Sequence, residues 1–359
     1  MNDLVCLDDI EKLALIKLEN SRYKDYLISG AEDENVLERN SKRLKEIYLS
    51  PRICVDVSNV SLNTKLLGEK CSVPIGIAPS LAHKLVCKNG ELSTANGAEQ
   101  SDVIYTMSTF SSTRIEDVAA QNPKLIKWYQ VYVFKNREIT KQAIQRAEKA
   151  GYKAIVLTVD AAVAGLRRKL LKKPLSFQQD FSLPNFPKNL DKSPSSGLPF
   201  GSQITSTLSW GDVDWLRTIT KLPIIMKGVA TVEDIILSKR HGASAIWISN
   251  HGGRQLDDVP ASIDVLAKIG RTAKALELEL YVDGGFRKGS DVFKAIALGA
   301  DAVFIGKPIL YALTIGEEHC VKKLFDIMKT ELATVMALCG VRNVNEISKK
   351  YLWENISRL

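Results

Sequence analysis

Four histidines and no Cys-x-x-Cys pair are all that this 359-residue sequence offers toward a metal site. Its six cysteines, Cys6, Cys54, Cys71, Cys87, Cys320 and Cys339, are well separated and mostly have apolar neighbours. That excludes zinc-ribbon and dithiol chemistry and reads as free, buried thiols in a reducing compartment. Apolar stretches are short as well. None approaches the ~20 residues that cross a bilayer, and Asp8, Asp9, Glu11, Lys12 and Lys17 interrupt any signal-peptide core. Neither secretion nor membrane insertion is expected. Lys and Arg outnumber Asp and Glu by 49 to 41, but they gather densely only at Arg167-Arg168-Lys169 with Lys172-Lys173, so no nucleic-acid module is expected.

What is present is a recurrent pattern. Short runs rich in Val and Ile fall at 73–79, 103–108, 126–132, 154–160, 223–229, 245–250, 280–284 and 302–306, the continuous apolar signature of buried parallel strands. Between them lie helix-period segments such as 137–150, with Ile139, Ala143, Ile144 and Ala147 on one face and Glu138, Lys141, Gln145 and Glu148 on the other. Eight strand-helix units in alternation predict an α/β chain folded as a single (β/α)8 TIM barrel. Residues 1–70 are its helical lead-in, 71–320 the barrel and 321–359 the closing helices and tail. One connection is too long. After the fourth strand, residues ~161–208 form a loop, rich in Pro, Ser, Asn and Gly from 176 to 206, that reads as a mobile lid or disordered insertion on the barrel's functional face.

Active sites of such barrels form at the C-terminal strand ends, and these runs end in polar residues. Ser80 follows the first, Ser108 ends the second, Gln130 and Tyr132 the third, and Thr158 and Asp160 the fourth. Lys227 lies in the fifth, Ser249-Asn250-His251 closes the sixth, and Asp283-Gly284-Gly285 and Gly306-Lys307 end the last two. The two final loops, with Arg287 and Lys307 beside glycines, predict a phosphate-bearing ligand. Buried Lys227 has three readings: a structural ion pair, a Schiff-base nucleophile, or a positive charge beside an electron-accepting ring. His251 and Arg254, three residues apart, offer a base and a carboxylate anchor. His83, His241 and His319 read as surface residues, and no metal ligand set is expected.

These residues resemble the FMN-dependent 2-hydroxy acid oxidase family, which includes glycolate oxidase, lactate oxidase and the long-chain 2-hydroxy acid oxidase. The resemblance runs through Ser29-Gly30-Ala31-Glu32-Asp33, Pro51-Arg52, Asp56-Val57-Ser58, Ile77-Ala78-Pro79, Leu157-Thr158-Val159-Asp160, Lys227-Gly228, Ser249 to Asp257 and Asp283-Gly284-Gly285. It implies His251 as base with Asp160 orienting it, Tyr132 on the substrate hydroxyl, and Tyr26, Arg167 and Arg254 on the substrate carboxylate. For FMN it implies Pro79, Ser80, Leu81, Ser108, Gln130, Thr158, Lys227 and Ser249 around the ring and ribityl chain. Asp283, Gly284, Gly285, Arg287, Gly306 and Lys307 would serve the phosphate end. Dioxygen is the implied acceptor and a homotetramer the implied assembly.

The sequence departs from the family at several points. Ala161-Ala162 replaces Thr-Pro, Lys169 replaces Glu, Leu81 stands where relatives carry Ala or Gly, and Lys307 replaces Arg. Phe110 stands where glycolate-selective relatives carry Trp, and with Leu4-Val5-Cys6-Leu7 it looks most like the long-chain member. Medium- to long-chain (S)-2-hydroxy acids are the expected substrates. The alternatives are a glycolate- or lactate-selective oxidase, or a flavin-binding pseudo-enzyme with weak turnover. The terminal Ser357-Arg358-Leu359 resembles a peroxisomal address, which implies an import receptor as partner.

Overall fold

A computed structural model describes residues 3–173, 182–187 and 201–353. Three short helices lead in: α1 (Leu7–Lys17), α2 (Lys24–Ile28) and α3 (Asn35–Lys45). A two-stranded antiparallel hairpin follows, β1 (Thr64–Leu66) with β2 (Glu69–Cys71). The next eight strands close a parallel barrel in the order β10-β3-β4-β5-β6-β7-β8-β9. They are β3 (Ile75–Ile77), β4 (Tyr105–Met107), β5 (Lys127–Val131), β6 (Ala154–Thr158), β7 (Ile224–Val229), β8 (Ala245–Ile248), β9 (Glu279–Asp283) and β10 (Ala302–Ile305). Around them run α4 (Glu91–Gln100), α5 (Ile115–Gln121), α6 (Arg137–Lys149), α7 (Arg168–Lys172), α8 (Trp210–Ile219), α9 (Val232–Arg240), α10 (Ser262–Ala275), α11 (Gly289–Ala297) and α12 (Lys307–Leu338). The TIM barrel read from the sequence is the observed fold.

The strands form where Val, Ile and aromatic residues run together because both faces are covered, by helices outside and by side chains within. Trp128, Trp247, Tyr281 and Phe304 fill the interior, with the Trp247 and Phe304 rings 4.1 Å apart. The hairpin, absent from the sequence reading, sits at the strands' N-terminal ends. Its Leu66 and Cys71 enter the same interior cluster, and the Leu67 amide donates to the Glu279 carboxylate at 2.9 Å. That end is a plug, so the opposite end is free for chemistry.

The lead-in lies across the functional end. Asn40 of α3 exchanges side-chain hydrogen bonds with Asn250 at 2.9 and 2.8 Å, and Asp257 accepts from the Asn35 and Val36 amides at the start of α3. Gly285 has φ +89°, and a Cβ there would lie 2.7 Å from the Asn40 backbone. The glycine is required by the approach of α3.

The long connection is only partly the loose lid expected. Its first part docks on the lead-in: Arg168 pairs with Asp33, and Lys169 Nζ with Glu34 Oε2 at 2.7 Å. Residues 182–187 pack inward, with buried Asn185 donating to Ser111 Oγ at 2.9 Å and to the Thr113 carbonyl at 2.8 Å. Residues 174–181 and 188–200 of this connection, like the tail Ser357-Arg358-Leu359, lie outside the described residues. Cys54 also differs from expectation, being exposed rather than buried.

Candidate active site

A cleft of about 1490 Å³, counting the open solvent at its mouth, lies at the C-terminal ends of the strands. Nearly every residue singled out above lines it: Tyr26, Pro79, Ser80, Leu81, Ser108, Phe110, Gln130, Tyr132, Thr158, Arg167, Lys227, His251 and Arg254, then Asp283, Gly284, Gly285, Arg287, Gly306 and Lys307. Asp160 and Ser249 do not line the cleft but stand behind residues that do.

His251 Nδ1 lies 3.0 Å from Asp160 Oδ1. An ionised carboxylate accepts, so the ring carries its proton on Nδ1 and leaves the Nε2 lone pair free. Burial disfavours the Asp160 charge, but the nearby His251 and Lys227 and the bond from His251 outweigh it and hold the carboxyl below its ordinary range. The backbone is strained here: His251 has φ +57°, a left-handed conformation rare for a residue with a side chain, and its amide donates to Ser249 Oγ at 3.0 Å. Gly228, with φ +105°, makes room for the same pair, since a Cβ there would meet Asp160 Cβ at 2.7 Å.

Lys227 resolves toward pairing. Its Nζ lies 3.1 Å from Asp283 Oδ2 and donates to Ser249 Oγ at 2.7 Å, while its side chain still lines the cleft. An ammonium engaged in this way is not a Schiff-base nucleophile, which must be neutral. Asp283 also accepts from Ser249 Oγ at 2.6 Å and from the Trp247 indole at 3.0 Å. On the neighbouring strands Gln130 donates to Thr158 Oγ1 at 3.0 Å and accepts from the Thr109 amide at 3.1 Å.

Two guanidinium groups converge on the other side. Arg254 stacks on the Tyr26 ring at 4.6 Å and donates from Nη1 to the Tyr26 and Ser29 carbonyls. Arg167, 2 % exposed, donates from Nε to the Arg254 carbonyl at 3.1 Å. Burial and the adjacent Arg254 push Arg167 down to about 9. Buried Tyr132 lies close by, its hydroxyl pushed well up by burial and by Asp160. Gln255, quoted in the sequence only as part of a motif, holds this wall together by donating to the Asp160 and Val163 carbonyls, each at 2.9 Å, and accepting from the Gly165 amide.

At the far end Lys307 is pushed down to about 7 by burial and by Arg254 and Arg287. Three cations share this end, against which Glu11 of α1 offers one carboxylate, 3.4 Å from Arg287 Nε. Arg254 Nη2 and Asp160 Oδ2 are buried without a protein partner. A polyanion at the Lys307 end and a small acid against Arg254 Nη2 would satisfy the cations there, so the residues fit FMN.

One expectation fails outright. His83 is fully buried, not superficial, with Nε2 2.7 Å from Ser80 Oγ and Nδ1 2.7 Å from Thr94 Oγ1. Its sequence signal is Glu91, three residues before Thr94 on the inward face of α4, a buried carboxylate that needs polar company.

Comparison with known proteins identifies the family. Residues 17–354 match the model of the FMN-dependent dehydrogenase family. Glycolate oxidase 3 of Oryza sativa subsp. japonica is 42% identical over 98% of this chain and 97% of its own. The 2-hydroxyacid oxidase 2 of Homo sapiens is 41% identical over 96% of this chain and 97% of its own. The crystal structure of an active chimera of (S)-mandelate dehydrogenase superposes with a TM-score of 0.91 at 32% identity, covering 98% of this chain and all of its own. The chain belongs to the FMN-dependent dehydrogenase family, as an oxidoreductase of 2-hydroxy acids that uses FMN.

Proposed function

We propose that this enzyme oxidises medium- to long-chain (S)-2-hydroxy acids to 2-oxo acids and returns the electrons to dioxygen as hydrogen peroxide. The observation that carries this is the His251–Asp160 pair facing Arg254, Arg167 and Tyr132 across one cleft. FMN, when bound, accepts two electrons from the substrate and passes them on. The cleft's own residues do the rest. Arg254 and Arg167 grip the substrate carboxylate, and Tyr132 orients its hydroxyl. His251 Nε2 takes a proton, and Asp160 stabilises the imidazolium that results. Pro79, Ser80, Leu81, Ser108, Gln130, Thr158 and Lys227 surround the ring and ribityl chain, with Ser249 and Asp283 fixing Lys227. Gly284, Gly285, Arg287, Gly306 and Lys307 hold the phosphate.

The apolar walls support the longer substrates. Phe110 stacks on Phe186 at 5.6 Å and tilts against Tyr132 at 5.5 Å, and Leu81, Ala161, Ala162, Val163, Ile204 and Leu310 add further apolar surface. Each methylene buried there contributes ~0.8 kcal/mol, about fourfold in specificity. Anaerobic mixing with a series from glycolate to long-chain 2-hydroxy acids, read by bleaching of flavin absorbance and then by peroxide on admitting oxygen, tests the reading. No bleaching with any of them would refute it. We further infer peroxisomal import through Ser357-Arg358-Leu359, tested by a fluorescent fusion with a free C-terminus, and a homotetramer, tested by light scattering.

A further inference from the structure

Behind the cleft, in the turn after β3, lies a buried polar cluster that the reaction does not use directly. Glu91 is fully buried and accepts from the His83 amide at 3.0 Å, the Ser112 amide at 2.8 Å, Ser112 Oγ at 2.7 Å and Thr113 Oγ1 at 2.7 Å. These hydrogen bonds satisfy both oxygens of the buried carboxylate. The same cluster ties together two walls of the cleft: the Ala82 amide donates to the Phe110 carbonyl at 3.1 Å, and the Lys84 amide to Ser112 Oγ at 3.1 Å.

The hydrogen bonds around the His83 ring favour one tautomer. Thr94 sits in α4 one turn after Gly90, and its hydroxyl donates back to the Gly90 carbonyl at 3.4 Å, a habit of helical threonines. Its oxygen therefore accepts from His83 Nδ1–H. Burial disfavours the imidazolium strongly enough to keep the ring neutral despite Glu91, so Nε2 carries a lone pair and accepts the proton of Ser80 Oγ. Ser80 lines the cofactor cleft, and with its proton committed to His83 its oxygen can face the cleft only as an acceptor.

We propose that His83 is a positioning residue for the cofactor: through Ser80 it fixes a hydrogen-bond acceptor, and bars a donor, at the edge of the flavin cleft. The chain Thr94, His83, Ser80 thus reaches the ring's electronics from a residue that does not line the cleft. The proposal rests on FMN seating against Ser80. The ring's tautomer is the controlling element, because a proton on Nε2 instead of Nδ1 would release the Ser80 O–H to donate into the cleft.

The test uses the FMN-loaded enzyme and reads the visible absorption bands of the bound flavin and its midpoint potential, with FMN stoichiometry measured for each variant. Ser80→Ala is expected to shift both, and His83→Leu to shift them the same way with nothing added in the double variant. His83→Gln should stay close to wild type, since its amide oxygen can accept from Ser80 while its NH2 donates to Thr94. Thr94→Val leaves Ser80 and His83 in place but removes the Nδ1–H acceptor, so the ring is expected to turn its proton toward Ser80. The flavin bands should then shift, and that shift should vanish in a Ser80→Ala background. This variant keeps the test open where His83→Leu fails to fold. Bands and potential unmoved by His83→Leu or Thr94→Val, or moved equally with Ser80→Ala already present, would overturn the proposal. A silent Ser80→Ala with full FMN occupancy would overturn it together with the seating of FMN against Ser80.

Discussion

With the FMN phosphate seated beside Lys307 as proposed, FMN affinity should depend on pH in a direction that the burial of this lysine sets. Burial and two neighbouring guanidinium groups bring this lysine to about 7 in the protein's own field, so at pH 8 most apoprotein molecules hold it neutral. A phosphate dianion placed beside it draws the proton back and raises its pKa. The complex then binds more protons than the free protein, and affinity must fall as pH rises above 7. The limit is tenfold per pH unit, ~1.4 kcal/mol each, or about 100-fold from pH 7 to 9. Below pH ~6 the phosphate's own second ionisation reverses the trend, so the profile is a bell. Quenching of free FMN fluorescence by apoprotein, titrated at fixed ionic strength, measures it. Lys307→Arg supplies the control, because a guanidinium keeps its proton across this range. A wild-type affinity that is flat from pH 7 to 9, or an arginine variant with the same slope, would refute the reasoning.

His251→Gln should retain FMN but slow flavin reduction by ~10²- to 10⁴-fold, the usual worth of a positioned base; stopped-flow rates within about threefold of wild type would assign the proton to another group. Arg254→Lys is expected to raise KM for every hydroxy acid more than it lowers kcat, since a point charge neither grips a carboxylate with two parallel bonds nor stacks as well on Tyr26. Phe110→Trp should flatten the rise of kcat/KM with chain length, and a preference for glycolate in the unsubstituted enzyme would end the long-chain reading.

The barrel strands are legible because parallel strands covered on both faces spell continuous apolar runs, and 224–229 or 302–305 can be read as little else. The β1–β2 hairpin is not, since each strand is three residues long with only one side chain buried. Only the turn at Leu67-Gly68, with φ +48° and +82°, leaves a trace. Site residues at strand ends come out together because the fold brings those ends to one place. His83 escapes because a histidine in a short turn carries no periodic signal, and its burial is set by Glu91 and Thr94 on another element. Asn185 escapes for a related reason. An asparagine in a Pro- and Ser-rich stretch reads as loop, yet its amide replaces solvent at the start of α5, where it accepts from the Ile115 amide at 3.1 Å.

The contact of Gly285 with the Asn40 backbone also bears on how the chain is made. About 245 residues separate the two, and at ~5–20 residues per second the ribosome takes roughly 12–50 s to deliver one after the other. Until Asn250 is made, 210 residues after Asn40, α3 has neither that side chain nor the Gly285 turn to rest on, and the face carrying Val36 and Leu44 has no closed barrel to cover it. The segment that closes over the Gly285 turn is among the first synthesised and among the last to find its place. At 11 residues α3 is too short to hold a helix alone, so a nascent chain must carry its apolar residues uncovered, and a chain that stalls before β9 presents them to whatever else will bind them.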